Sequence, residues 1–207
     1  MSNGEHWQEV YAHKAPSSVS WFQDQPAPSL AMISATGLRP EASVIDVGAG
    51  ASALVDNLLD RGFDSVTVLD VSSQALAVTR TRLAERAVKV KWIAADLTAW
   101  APPTAAFDIW HDRAVFHFLV SDEDRRAYVT ALERALRPDG FVILATFSLS
   151  GPERCSGLPV MRHSPATLGA ALGPDFELIH ATAEVHTTPG GATQDFIWCL
   201  FHRTAVT

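Results

Sequence analysis

The amino-acid sequence predicts an α/β fold, in which a mostly parallel, doubly wound sheet carries helices on both faces. From residue 43 onward, short runs of β-branched and apolar residues alternate with segments of helical spacing. The first run ends in a turn with Gly48 and Gly50, as a strand that leads directly into a helix does. The last two runs have no helix between them, which predicts a terminal hairpin and one antiparallel strand.

The predicted strands are short and apolar, which is typical of parallel strands that are buried on both faces. They are Ser43–Val47, Ser65–Leu69, Val88–Ala94, Phe107–Trp110, Phe141–Phe147, Phe176–Val185 and Gln194–His202. The fifth is apolar throughout, so we expect it near the centre of the sheet. Thr187–Gly191 supplies the turn of the terminal hairpin.

The predicted helices are recognised by apolar residues on one face and by the residues that cap them. They are Ser52–Arg61, a helix from Ser72 or Ser73 to about Arg86, and a helix from Ser121 or Asp122 to Arg137. Pro138–Gly140 then forms a turn before the fifth strand. Before residue 43 we expect a short helix, a proline-containing loop and a second helix over about Ser29–Thr36.

The length of 207 residues predicts one domain, residues 1–207, with a full-sized core. Within it, residues 1–42 form an N-terminal helical and aromatic segment, and residues 43–207 form the ligand-binding core. The segment over about residues 148–174 follows the fifth strand, so we expect it to shape a substrate pocket at the carboxyl ends of the strands.

Charge and composition restrict the partners and the compartment. The net charge of −7 predicts no binding to nucleic acid, because no basic stripe can neutralise phosphates. The same negative charge is compatible with a basic protein as partner. No apolar run approaches the ~18 residues that a membrane span requires, and Met1–Tyr11 has no apolar signal core. Cys155 and Cys199 are far apart and predict reduced thiols. We therefore predict a soluble cytoplasmic protein.

The turn after the first strand, Asp46-Val47-Gly48-Ala49-Gly50, is the most informative motif. Its glycines let the backbone bend sharply and approach a ligand that a Cβ would obstruct. The following helix presents free N–H groups to a polar ligand. A tight turn without any ligand would look the same, so the motif alone does not decide.

Acidic residues at the ends of the next two strands favour a nucleoside ligand. Asp70 lies 20 residues after Gly50, where a carboxylate accepts hydrogen bonds from ribose hydroxyls. Asp96 and Leu97 follow the third strand and suit an adenine, with the carboxylate on the exocyclic amine and the leucine against the ring. Either acid alone could be a solvated carboxylate, but the three features together predict a nucleoside site.

At these residues the chain resembles the class I S-adenosylmethionine-dependent methyltransferases. Asp46–Gly50 resembles their first motif, Asp70 their ribose acid, Asp96-Leu97 their adenine-binding pair, and Leu136–Gly140 the turn before their fifth strand. The resemblance covers about residues 40–150. It implies a Rossmann-like seven-stranded sheet of order 3-2-1-4-5-7-6 with strand seven antiparallel. It also implies S-adenosylmethionine as cofactor and S-adenosylhomocysteine as product.

Two further segments are similar to a narrower group, the thiopurine methyltransferases and their halide- and thiol-methylating relatives. These are Phe107–Ala114 in the fourth-strand region and the aromatic residues between Trp7 and Phe22, which in that group fold over the bound cofactor. Such rings would also stabilise a sulfonium cation, although they could equally be an apolar cover over the core. The predicted cofactor-binding residues are Trp7, Tyr11, Trp21, Phe22, Asp46, Gly48, Ala49, Gly50, Ser52, Asp70, Val71, Ser72, Asp96, Leu97 and His111.

The segment after the fourth strand supplies the catalytic candidates, because ligands meet at the carboxyl ends of such strands. The candidates are His111, Asp112, Arg113 and His117. An amine or hydroxyl acceptor needs a base such as His117, whereas a thiolate needs none. Asp112 and Arg113 could instead pair with each other and fix the loop, and His117 could be a packed core residue. In the later loop, Arg162 and His163 could bind an acidic substrate.

The function predicted from these features is methyl transfer from S-adenosylmethionine to a small-molecule nucleophile by in-line displacement. The alternatives are a protein lysine methyltransferase with a basic protein acceptor, a NAD(P)-dependent oxidoreductase, and a non-catalytic cofactor-binding module. Asp46 disfavours the oxidoreductase, because a dinucleotide fold usually has an apolar residue at this strand position. The eight histidines show no HxxxH or HExxH spacing, so we predict no metal.

Overall fold

The computed structural model describes residues 3–13 and 19–204. Its strands are β1 (Val44–Val47), β2 (Val66–Asp70), β3 (Val90–Ala94), β4 (Phe107–Arg113), β5 (Leu136–Phe147), β6 (Arg154–Cys155), β7 (Leu158–Pro159), β8 (Phe176–Thr187) and β9 (Thr193–Arg203). Its helices are α1 (Asn3–His13), α2 (Ala27–Ala35), α3 (Leu54–Asp60), α4 (Ser73–Leu83), α5 (Asp122–Ala135) and α6 (Pro165–Leu172). Two 3-10 segments, Ala84–Lys89 and Phe116–Phe118, precede β3 and α5.

Seven strands form one sheet in the order β3-β2-β1-β4-β5-β9-β8. The strands from β3 to β5 are parallel, whereas β9 runs antiparallel to both β5 and β8. This confirms the predicted Rossmann-like order, with β8 and β9 as the sixth and seventh strands of the main sheet. Because β9 is antiparallel, it begins at the same edge of the sheet at which the parallel strands end.

Each face of the sheet is covered by its own apolar cluster. Successive residues of a strand point to opposite faces, so Val44 joins the cluster with α2, α3 and α4, and Ile45 joins the cluster with α5 and α6. Helix α1 lies against the start of α4, where the Gln8 side chain bonds the hydroxyls of Ser72 and Ser73. Among the described helices none is long and apolar enough to cross a membrane.

The structure corrects the boundaries predicted for β4 and β5 and adds elements in the segment that follows β5. β4 extends three residues beyond Trp110, to Arg113, because its pairing with β5 continues. β5 begins at Leu136, and the predicted turn over Pro138–Gly140 is an irregularity inside it, with Asp139 at φ 60°. The segment over residues 148–174 contains the small β6–β7 hairpin and α6, neither of which was predicted.

Candidate active site

A cavity of about 230 Å³ opens at the carboxyl ends of the parallel strands. We call one part of it the acidic end, which is lined by Leu69, Asp70, Val71, Ala95, Asp96, Leu97, Thr98, Leu119 and Asp124. The other part, the aromatic end, is lined by Trp7, Trp21, Arg113, Phe118, Phe147, Cys155, Gln194 and Phe196. Tyr11, Gly48, Ala114 and Val115 lie between the two ends.

A side cavity of about 40 Å³ adjoins this main cavity and shares Trp21, Gly48 and Arg113 with it. Its other lining residues are Val19, Phe22, Gln23, Pro26, Ser29, Asp46, Val47, Ala49, Ala51, Ser52 and His111. The two cavities therefore meet above the glycine turn, one on the side of the strand-end acids and the other on the side of α2.

The glycine turn between β1 and α3 needs glycine at both positions. Gly48 and Gly50 have φ of 61° and 53°, in the left-handed region that residues with a Cβ rarely adopt. A Cβ on Gly48 would lie 1.9 Å from Cγ2 of Val115, and one on Gly50 would lie 2.1 Å from the hydroxyl oxygen of Tyr11. The side chains of Val115 and Tyr11 thus lie closer to the backbone of this turn than any residue with a Cβ at positions 48 and 50 would permit.

Asp70 ties the glycine turn to the start of α4. Its Oδ2 accepts a hydrogen bond from the backbone N–H of Gly50, and its Oδ1 accepts one from that of Ser72, both at 2.7 Å. Burial raises the pKa of Asp70 to about 6, although the two N–H donors oppose this shift. Asp96 is exposed and its Oδ1 accepts hydrogen bonds from the backbone and hydroxyl of Thr98.

Asp46 belongs to a buried hydrogen-bonded chain with His111 and Ser29. The pairing of β1 with β4 places Asp46 beside His111. Oδ1 of Asp46 lies 2.7 Å from Nδ1 of the His111 imidazole. Nε2 of His111 lies 3.0 Å from the hydroxyl of Ser29, so both ring nitrogens have partners. Oδ2 of Asp46 is buried and has no hydrogen-bond partner among the described residues. Asp46 lines the side cavity, and this orphaned acceptor fits a ligand cation.

Asp112 points to the opposite face of the sheet and lines neither cavity. Its carboxylate accepts hydrogen bonds from the backbone N–H groups of Val115 and Phe116 and from the hydroxyl of Tyr128. Burial raises the pKa of Asp112 to about 6. Asp112 therefore fixes the loop after β4, but its partner is the loop backbone and not Arg113, as the pairing hypothesis supposed.

His117 is fully buried and also lies outside both cavities. Its Nδ1 accepts a hydrogen bond from the backbone N–H of Phe147, and its ring contacts Phe118 and Phe147. Burial lowers the pKa of His117 to about 3. A packed core histidine is therefore the interpretation that this position supports, rather than a base that touches a substrate.

The substitution His117→Phe tests that interpretation. An unfolded histidine has a pKa of about 6.5, so below that pH the unfolded chain binds a proton that the folded chain does not. The native chain accordingly loses stability as the pH falls from about 6.5 towards 3. The variant lacks this loss. As the pH falls from about 6 to about 4.5, we therefore expect the free energy of unfolding of the variant, minus that of the native chain, to rise by about 2 kcal/mol.

Urea denaturation of both proteins at the two pH values measures this gain. His180→Phe, a substitution on the exposed surface of β8, is the matched control and should show no comparable gain. If the difference between His117→Phe and the native chain does not change with pH, the imidazole takes up its proton as readily in the folded chain as in the unfolded chain, and our interpretation is wrong.

The N-terminal aromatic residues form the roof of the main cavity. The ring of Trp7 contacts those of Trp21 and Phe118 edge-to-face, with centroid distances of 5.6 Å and 5.2 Å. Tyr11 packs against Trp21 and is buried. Phe22 lies away from this cluster and lines the side cavity.

The structure brings most of the predicted site residues together around these two cavities. Trp7, Tyr11, Trp21, Gly48, Asp70, Val71, Asp96, Leu97 and Arg113 line the main cavity, and Phe22, Asp46, Ala49, Ser52 and His111 line the side cavity. Gly50 and Ser72 lie beneath the cavities, as partners of Asp70. Asp112 and His117 are the two candidates that the fold directs elsewhere.

Sequence reasoning missed much of the aromatic end, namely Phe118, Phe147, Gln194 and Phe196. Phe147 ends β5, so the strand-end rule applied to it and could have found it. Gln194 and Phe196 begin β9, and only the antiparallel direction of that strand places them at the same edge. In the loop after β5, Cys155 lines the cavity, whereas Arg162 pairs with Glu153 instead.

Comparison with known proteins supports the same class of fold and indicates a methyltransferase domain. Residues 44–140 match a family model described as a methyltransferase domain. Among curated proteins, EEF1A lysine methyltransferase 2 of Danio rerio is 26% identical over 153 residues, which cover 70% of this chain and 66% of that protein. An uncharacterized methyltransferase of Mycobacterium tuberculosis is 31% identical over 104 residues, half of each chain. The chain thus spans about half to two thirds of these relatives.

Solved structures share the fold over almost the whole chain. One, reported for the conversion of a disulfide bond into a thioacetal group during echinomycin biosynthesis, has a TM-score of 0.78 at 22% identity and covers 98% of this chain and 94% of that one. The 1,6-didemethyltoxoflavin-N1-methyltransferase of Burkholderia thailandensis, with bound S-adenosylhomocysteine, has a TM-score of 0.67 at 20% identity and covers 95% of this chain and 82% of that one. In its matched domain, its sheet order and its glycine turn, the chain is similar to the class I S-adenosylmethionine-dependent methyltransferases.

Proposed function

We propose that this protein is an S-adenosylmethionine-dependent methyltransferase that acts on a small-molecule acceptor enclosed in the aromatic end of the main cavity. The observation that carries the proposal is the roof of that cavity, in which Trp7, Trp21 and Phe118 pack edge-to-face over the strand ends. A small acceptor beneath such a roof is shielded from water, which favours displacement at the methyl group over side reactions.

The residues present fit S-adenosylmethionine, which supplies an electrophilic methyl group on a sulfonium sulfur when it is bound. We assign the glycine turn and the orphaned Oδ2 of Asp46 to its amino-acid end, because a buried carboxylate oxygen without a donor suits an ammonium group. We assign Asp70 to the ribose and Asp96 with Leu97 to the adenine, since these residues line the acidic end. Tyr11 and Trp21 would cover the cofactor.

The aromatic end favours a nucleophile that needs no proton acceptor. Among its described lining residues there is no carboxylate and no imidazole. His111, which lines the adjoining side cavity, has both ring nitrogens occupied by Asp46 and Ser29. A thiolate or another acceptor that is already ionised reacts without a base, so this class of nucleophile is the one we propose.

A second candidate function is protein lysine methylation. It is favoured by the curated relatives, which include a lysine methyltransferase of Danio rerio, and by the net charge of −7. A lysine ammonium group would have to approach the Arg113 guanidinium in the aromatic end, which is unfavourable between like charges. We therefore rank the small-molecule acceptor first.

Two measurements on the full chain test the proposed function. Thermal denaturation should show stabilisation by S-adenosylmethionine and S-adenosylhomocysteine but not by NAD, reaching about 2.7 kcal/mol at a concentration 100 times Kd. Transfer of a radiolabelled methyl group should then occur to members of a panel of small thiols and aromatic acids, and not to purified elongation factor 1A. Stabilisation by NAD alone would refute the methyltransferase reading, and transfer to the protein alone would refute the small-molecule acceptor.

A pair of glycine variants controls the binding measurement. Gly48→Ala introduces a Cβ at a positive φ and 1.9 Å from Val115, so it should abolish the thermal shift caused by S-adenosylmethionine. Gly190→Ala makes the same change in the exposed turn between β8 and β9, where the only atom within 4 Å is the Thr188 hydroxyl oxygen, and the shift should persist.

A further inference from the structure

The Arg113 guanidinium is the one buried cation of the described residues that line the main cavity. Nη1 donates a hydrogen bond to the backbone carbonyl of Trp21 at 2.9 Å. Nε and Nη2 are buried and have no hydrogen-bond partner among the described residues. Such unsatisfied donors are costly, since each has lost its water without gaining a replacement. The guanidinium therefore has unused binding capacity inside the cavity.

The two unused nitrogens lie on the same edge of the guanidinium. The hydrogen on Nε and one hydrogen on Nη2 point in parallel, and this pair forms the fork that binds a carboxylate through two hydrogen bonds. The opposite edge is already held by Trp21. The free edge thus matches a planar oxyanion better than a spherical or singly accepting group.

Within residues 3–13 and 19–204, no carboxylate fills this position. Glu184 attracts the guanidinium through space, but its two oxygens accept hydrogen bonds from Gln23 and Trp198. Asp112, the neighbour in sequence, bonds the loop backbone on the other face of the sheet. The anion that would complete Arg113 must therefore come from a ligand.

Arg113 also lines the side cavity that holds Asp46, but the contact of its guanidinium with Phe196 points to the acceptor. Arg113 leaves β4, crosses towards β9 and places its guanidinium carbon 5.1 Å from the ring centre of Phe196. In the sheet, β4 and β5 separate β9 from β1 and its glycine turn. Around the guanidinium, Phe147, Cys155 and Phe196 provide apolar and aromatic walls.

We propose that Arg113 is the recognition residue for the acceptor, and that the acceptor is a small aromatic molecule with a carboxylate group. The carboxylate binds the free Nε–Nη2 edge of the guanidinium, and the aromatic body packs against the rings of the aromatic end. This inference rests on the proposed function and adds the substrate class. It also excludes a lysine side chain from the site, because a cation would meet Arg113 there.

The test uses the full chain saturated with S-adenosylhomocysteine, whose binding is measured first by calorimetry. Phenylacetate and phenylacetamide are then titrated, since they share shape and ring but only the first has a negative charge. We expect phenylacetate to bind at least about tenfold more tightly than the amide, in line with a charge-assisted bidentate pair. Arg113→Met should remove this preference, and Arg113→Lys should restore only part of it.

Arg86→Met is the matched control, because Arg86 pairs with Asp60 on the surface and lines neither cavity. It should keep the tenfold preference. The affinity for S-adenosylhomocysteine should stay within about threefold of the native value in Arg113→Met, which also shows that the variant is folded.

Three results would overturn the proposal. The first is that the native, loaded chain binds the amide as tightly as the acid or does not bind the acid, and this comparison needs no variant. The second is an unchanged preference in Arg113→Met. The third is a loss of S-adenosylhomocysteine affinity of more than about threefold in Arg113→Met, which would assign the guanidinium to the cofactor's own carboxylate. Failure to bind S-adenosylhomocysteine at all would refute the proposed function instead.

Discussion

Replacing Asp70 with alanine is expected to weaken S-adenosylmethionine binding by about two orders of magnitude, or about 2.8 kcal/mol. Asp70 lines the acidic end of the cavity and holds the backbone N–H groups of Gly50 and Ser72 through its two oxygens. The substitution therefore removes a charged acceptor proposed for the ribose and also releases the glycine turn. Calorimetric titration of both proteins with S-adenosylmethionine measures the loss.

Asp64→Ala is the matched control for this effect. Asp64 is exposed and precedes the same strand, β2, at the edge of the sheet opposite the cavity, so we expect the affinity to change by less than about twofold. If Asp70→Ala binds the cofactor as the native chain does, Asp70 does not contribute to the site and the assignment of the acidic end is wrong.

The pH dependence gives Asp70 a second, independent signature. Burial raises its pKa to about 6, so the carboxyl group is protonated in the folded chain between about pH 4 and 6, where the unfolded chain has lost that proton. The contribution of this group to stability is therefore greatest below about pH 4 and declines as the pH rises to about 6. Cofactor affinity should show the opposite trend and increase as the carboxylate forms, and the alanine variant should lack both trends.

Replacing His111 with phenylalanine is expected to lower the free energy of unfolding by about 3 kcal/mol or more. The Asp46 carboxylate has Nδ1 of His111 as its hydrogen-bond partner, and its other oxygen is already unsatisfied among the described residues. Both side chains are almost completely inaccessible to solvent, at 3% exposure each. The phenylalanine would therefore leave a buried acid without a partner, which is far more costly than the loss of an average hydrogen bond.

Two further variants serve as controls for His111→Phe in urea denaturation. Asp46→Asn keeps an amide oxygen for the His111 N–H and removes the charge, so we expect a smaller loss of stability but a clear loss of cofactor affinity. His180→Phe, on the exposed surface of β8, should change the stability by less than about 0.5 kcal/mol. A loss below about 1 kcal/mol for His111→Phe would show that Asp46 finds other partners, and would contradict the buried chain described above.

The sequence by itself determined the sheet, the glycine turn and the acids at the strand ends. The period of the apolar residues distinguishes strands from helices, and Gly48 and Gly50 permit backbone angles that other residues rarely adopt. Asp70 and Asp96 follow from the same local pattern, because parallel strands end at one common edge. The strand order was predicted through the family resemblance and is confirmed.

Only the tertiary structure decided which side chains meet at that edge. The register of β1 against β4 places His111 beside Asp46, and no local signal specifies a register between strands 65 residues apart. The alternation along β4 sends Asp112 to the far face and Arg113 towards β9, which the sequence left open. Gln194 and Phe196 reach the cavity because β9 runs antiparallel. These are long-range contacts, and they depend on the packing of the whole sheet rather than on neighbouring residues.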